Sequence, residues 1–208
     1  MLSGGRRDSG GKKGAINVLC HQGMSAVQNE RRVVSNGCTG SEILERLSED
    51  KIYDFTSCCD VHDSCYQICG MNKNSCDTKF KKCMTDLCQA SVLYTYSGDG
   101  RTVVSEETID NEKCNRQAVM YYSATAMMGN SFYEDAQSDH CKCVQKEEVS
   151  DHYYSYITDF YERYAPQNIN NFKWEKYEEY SAKQFASLLN ALHRNYNATS
   201  IDHIEGRI

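Results

Sequence analysis

Apolar side chains recur at helical spacing in five stretches of the chain. His62, Cys65, Tyr66 and Cys69 lie three and four residues apart, and Gly70 is a natural stop, so a first helix should end there. Asn74 or Ser75 is expected to cap a second helix, whose apolar face is Cys76, Phe80, Cys83, Met84 and Leu87. A turn at Ser97–Gly100 and a polar stretch of β character then lead to a third helix over about 114–129. Val119, Tyr122, Ala126 and Met127 lie along one of its faces. In the tail, Tyr153, Tyr156, Ile157, Phe160, Tyr161 and Tyr164 form one stripe, ended by Ala165-Pro166. Trp174, Tyr177, Phe185, Leu188, Leu189, Leu192 and Tyr196 form another. These stripes predict a helical hairpin packed on itself or on the preceding domain.

Composition divides the chain along the same lines. Residues 1–14 are rich in Gly, Ser and basic side chains and read as a disordered arm. A cysteine-bearing domain is expected over 15–145, and a cysteine-free helical tail over 150–200. Twelve cysteines in 208 residues suit an oxidising compartment, where cross-links supplement a modest core. Reduced thiols would instead make Cys58, Cys59, His62, Cys65 and Cys69 zinc-ligand candidates. Their spacing does not form a paired C-x-x-C module, so disulfides are the expectation. A net charge of −6 argues against a nucleic-acid partner. No apolar run reaches the length of a membrane span, and no secretory leader is recognisable, since Arg6, Arg7, Lys12 and Lys13 precede only the short run Ala15–Leu19. The cysteines nevertheless point to a secreted protein, or one in the lumen of the secretory pathway.

The stretch Cys58-Cys59-Asp60-Val61-His62-Asp63-Ser64-Cys65-Tyr66 carries the candidate chemistry. It sets a histidine, suited to act as a base near neutral pH, beside a carboxylate, suited to hold a hard cation. The pattern C-C-x-x-H-D-x-C-Y resembles the active-site helix of the secreted phospholipase A2 family. Cys65-Tyr-Gln-Ile-Cys-Gly70, Cys76-Asp-x-x-Phe80-x-x-Cys83-Met84, Cys88 and the upstream Asn36-Gly37-Cys38 are most similar to its group XII branch. The likeness covers about residues 35–143.

The resemblance implies a mainly α, disulfide-rich phospholipase-like domain with two long antiparallel core helices, followed here by the helical hairpin. It implies Ca²⁺-dependent hydrolysis of the sn-2 ester of glycerophospholipids at a membrane surface or micelle. His62 would be the catalytic base and Tyr66 part of its supporting network. Asp63 would hold Ca²⁺ with backbone oxygens of the 37–41 loop, for which Gly37, Thr39 and Ser41 are candidates. Relatives read Gly-Cys-Gly where this chain has Gly37-Cys38-Thr39-Gly40. Relatives also carry an aspartate facing the catalytic histidine; counted from Cys114 and from Cys141-x-Cys143, that position falls on Ser123. Residues 114–133 contain no Asp or Glu. On this count the carboxylate is missing, which favours an alternative function as a catalytically weak lipid- or calcium-binding scaffold. Asn130 stands where relatives have a cysteine, so one disulfide should be absent or rewired. The tail is a candidate surface for a protein partner.

Overall fold

The structure is a computed structural model, and it describes residues 20–38, 53–90, 92–96 and 103–198. Four strands are described: β1 (Met24–Gln28), β2 (Val92–Tyr96), β3 (Val103–Thr108) and β4 (Cys141–Gln145). The helices are α1 (Thr56–Gln67), α2 (Lys73–Cys88), α3 (Asn111–Met128), α4 (Asn130–His140), α5 (Val149–Tyr164) and α6 (Ala182–Asn195). The fold is therefore mainly helical. β1 pairs antiparallel with β4, and β2 with β3.

The first three helices lie near their expected places, with shifted starts. Gly70, at φ +83°, follows α1 in the left-handed region that favours glycine. The cap of α2 is Asn72, not Asn74 or Ser75, and its side chain accepts from the Ser75 amide at 3.1 Å. Asp110 caps α3 and starts it at Asn111, three residues before the expected 114. The turn at Ser97–Gly100 lies outside the described residues. The sheet of β1 and β4 and the helix α4 have no counterpart among the sequence expectations. α4 is mostly polar, and β1 finds its partner 113 or more residues later, across Gln28 and Cys141. The second tail stripe is only half α-helix. Residues 166–171 and 174–176 form 3₁₀ turns, and α6 begins after Ser181.

All twelve cysteines are paired: Cys20–Cys143, Cys38–Cys59, Cys58–Cys83, Cys65–Cys76, Cys69–Cys141 and Cys88–Cys114. No thiol is free to ligate zinc. Asn130 sits exposed at the start of α4, and its lack of a thiol leaves no cysteine unpaired.

α1 is buried from two sides. One side joins Phe80, Met84, Cys88, Cys114, Ala118 and Tyr121 of α2 and α3. The other meets Tyr133 of α4 and the aromatic faces of α5 and α6, where Tyr153 stacks on Phe185 at 4.3 Å. The tail thus packs both on itself and on the cysteine-rich helices. Two buried glutamines satisfy the exposed backbone groups at the end of α1. Gln137 Nε2 donates to the carbonyls of Tyr66 and Ile68, and Gln28 Oε1 accepts from the Cys69 amide.

Candidate functional site

Two disulfides clamp α1 against α2 at Cys58–Cys83 and Cys65–Cys76. Cys65 stands three residues after His62, and Cys76 immediately precedes Asp77, so the cross-link brings these two side chains face to face. His62 Nε2 lies 2.9 Å from Asp77 Oδ1. A carboxylate only accepts, so in the neutral ring Nε2 carries the proton and Nδ1 keeps its lone pair. Phe80 and Tyr66 pack against the imidazole at ring-centre distances of 4.7 and 4.2 Å and fix its plane.

Asp77 is buried and takes three donors. Besides His62 they are the Tyr66 hydroxyl at 2.6 Å and the Lys73 ammonium at 2.7 Å. Burial by itself would raise the Asp77 pKa. The bonds from His62, Lys73 and Tyr66 outweigh it and hold the carboxyl below its usual range. Burial and the neighbouring Asp77 push the Tyr66 phenol up, so it stays a donor. Lys73 also donates to the Thr125 carbonyl at 3.2 Å, tying the network to the end of α3. Gly129 closes this corner. A Cβ there would come within 2.4 Å of the Thr125 carbonyl and 3.0 Å of the Tyr66 hydroxyl.

The expectation that His62 lacks an orienting carboxylate is therefore corrected. The carboxylate comes from α2, the helix that follows α1 directly, and not from α3. Ser123 is exposed on α3. The count from Cys114 and Cys141 assigned the facing position to the wrong helix. The signal was present in Cys76-Asp77-x-x-Phe80: Lys73, Asp77 and Phe80, at spacings of four and three, all reach the same site.

On the other side of α1, Asp63 lies against the segment that enters the 37–41 loop. Ser35 Oγ is 2.8 Å from Asp63 Oδ2 and 2.5 Å from Asp60 Oδ1, and it accepts from the Gly37 amide at 3.1 Å. One hydroxyl proton cannot serve both carboxylates. The place is rich in acceptors, and desolvation raises the Asp63 pKa to about 6, against a weaker opposing bond from Ser35. A cation would relieve both conditions. The donors are oxygens, as Ca²⁺ requires. Gly37 holds φ +74°, which gives its place to glycine, and the Asn36 amide lies 3.4 Å from Asp63 Oδ2. Thr39 and Ser41 lie outside the described residues. Among the described residues no three His, Cys, Asp or Glu side chains cluster as a metal site, so an ion here would rely on backbone oxygens beside Asp63.

A family profile described as group XII secretory phospholipase A2 precursor matches residues 7–151. The chain belongs to the group XII secretory phospholipase A2 family. Group XIIA secretory phospholipase A2 of Homo sapiens is 28% identical over 142 residues, covering 67% of this chain and 69% of that protein. Group XIIB secretory phospholipase A2-like protein of Mus musculus is 25% identical over 143 residues, covering 66% and 69%. Phospholipase A2-beta of Arabidopsis thaliana is 34% identical over 55 residues, covering 26% and 32%. No solved structure matches the chain. Among the described residues no helix is long and apolar enough to cross a membrane. The matched stretch ends inside α5, so most of the aromatic tail lies beyond what this group XII chain shares with the family profile.

Proposed function

We propose that the protein is a Ca²⁺-dependent phospholipase A2, secreted or held in the secretory lumen, which hydrolyses the sn-2 ester of glycerophospholipids to fatty acid and lysophospholipid. The bond between His62 Nε2 and Asp77 Oδ1 carries this reading. It leaves Nδ1 unprotonated, ready to take a proton from water as that water attacks the ester carbonyl. The imidazolium that forms meets an ionised Asp77, held ready by Tyr66 and Lys73, so its charge is stabilised without rearrangement. Burial of His62 against Phe80 and Tyr66 keeps bulk water from competing for the ring. Asp63, with backbone oxygens near Gly37 and candidate donors at Thr39 and Ser41, would hold Ca²⁺. When bound, the ion would supply positive charge to the ester oxygen that becomes anionic. The substrate is then a phospholipid bilayer or micelle.

The scaffold alternative rested on a missing carboxylate, and with Asp77 beside His62 that support is gone. Fatty-acid release from phospholipid vesicles, measured with calcium and then with chelator, tests the enzyme reading. Calcium-dependent release by the wild type, lost in His62→Gln and in Asp63→Asn, is the expected result. Equal release by wild type and His62→Gln in every condition would overturn it.

A further inference from the structure

A cavity of about 290 Å³ opens between the segment after β1 and the tail helices. It shares no lining residue with the site around His62, and its walls include Arg31, Arg32, Arg163, Tyr156, Phe160 and His193. Tyr156, Phe160 and Arg163 lie four and three residues apart, so one face of α5 supplies the aromatic wall and a guanidinium together. α6 contributes His193.

His193 is the unusual member. Its ring is 3% exposed, and neither nitrogen has a hydrogen-bond partner. Buried polar side chains are nearly always satisfied, so two buried, unpartnered nitrogens on a residue of the cavity wall call for an explanation. Burial pushes its pKa down to about 4, which keeps the ring neutral with one N–H to offer. His152 does not compete for a ligand through Nε2, which bonds the Gln28 carbonyl at 2.5 Å.

The charges beside it favour an anion. Three guanidiniums face two carboxylates, Glu30 and Asp159, in the lining. Glu30 is already engaged by Lys142, which together with a bond to its own backbone lowers its pKa. Arg31 is positioned by Asp139 at 3.4 Å, and Arg163 lies over the Tyr164 ring at 5.3 Å. The contact with Asp139 occupies a fraction of the five N–H groups of Arg31. The volume sits at the small end of ligand pockets, and the two carboxylates oppose a highly charged guest.

We propose that this cavity is a second binding site, for a small organic oxyanion: a carboxylate or phosphate group on an apolar body. The oxygens meet Arg163, Arg31 or Arg32, and the His193 N–H, while the body lies against Tyr156 and Phe160.

Calorimetry on the full chain with hexanoate, phenyl phosphate and 1-hexanol tests this, alongside NMR of the histidine ring nitrogens. At least one anion is expected to bind saturably, about tenfold or more tighter than hexanol, and to shift the His193 resonances. Preference for hexanoate identifies a carboxylate ligand, such as a released fatty acid; preference for phenyl phosphate identifies a phosphomonoester. Binding should weaken by about tenfold or more in His193→Phe and in Arg163→Gln. Arg163 is exposed, so its variant keeps the fold even if His193→Phe does not. Anions that bind no better than hexanol, or that leave the His193 signals unmoved, would overturn the proposal. Vesicle hydrolysis by Arg163→Gln should equal that of the wild type, which separates this site from the catalytic one.

Discussion

Two histidines in this protein are buried to almost the same depth and sit in opposite surroundings. His62, 7% exposed, faces a carboxylate that is itself held by a tyrosine and a lysine. His193, 3% exposed, packs against Phe160 and Tyr164, and neither of its ring nitrogens has a hydrogen-bond partner. The same side chain is bonded to a carboxylate in one place and an unsatisfied neutral ring in the other. Covalent cross-links at Cys58–Cys83 and Cys65–Cys76 fix the first environment. Aromatic packing alone fixes the second, in a tail that has no cysteine after Cys143. The difference teaches that burial does not define a histidine's chemistry; the partner does.

The comparison is broken most severely by removing the partner of His62. Asp77→Asn should lower kcat by roughly 10²–10⁴-fold with the fold retained, because an amide can offer N–H to Nε2 and shift the proton to Nδ1. Vesicle kinetics and circular dichroism check both halves of that statement. Loss of the cross-link between the segment before β1 and β4 comes next. Replacing Cys20 and Cys143 by serine opens a link of 123 residues in sequence and should cost about 2–4 kcal/mol in denaturant melts.

The third prediction concerns pH. His193 binds a proton near pH 6.5 when unfolded and only near pH 4 when folded. Between those values the unfolded state takes up more protons, so stability falls as pH drops from 6.5 towards 4 and is unaffected above 6.5. The loss should reach about 2–3 kcal/mol near pH 4. Because carboxylates titrate there too, the quantity to read is the difference between wild type and His193→Phe. Identical pH slopes for the two would show that His193 is not buried neutral. The smallest expected effect is at the corner shared by α2 and α3. Gly129→Ala should destabilise by about 1–3 kcal/mol through overpacking against Thr125 and Tyr66, with a parallel drop in kcat as Tyr66 shifts.

The family, the helix that bears His62 and Asp63, the oxidised state of the cysteines and the aromatic helices of the tail are all legible in the residue pattern. Each is a local pattern, legible because its spacing is set within one element. The 3₁₀ turn at Trp174–Lys176 escaped because Trp174 and Tyr177 lie three residues apart, a spacing that an α-helix and a 3₁₀ turn share. The pairing of β1 with β4 escaped because register between distant strands leaves little trace in either one. The carboxylate beside His62 is set by how α1 and α2 pack. Counting along the chain placed it on Ser123, whereas the cross-link at Cys65–Cys76 presents Asp77, fifteen residues from His62 in sequence, at 2.9 Å. Tertiary packing also leaves His193 buried without a partner, since that depends on how α5 and α6 close over each other. Hydrogen bonds between side chains on different helices follow from helix placement, and placement is a property of the packed core rather than of any one segment.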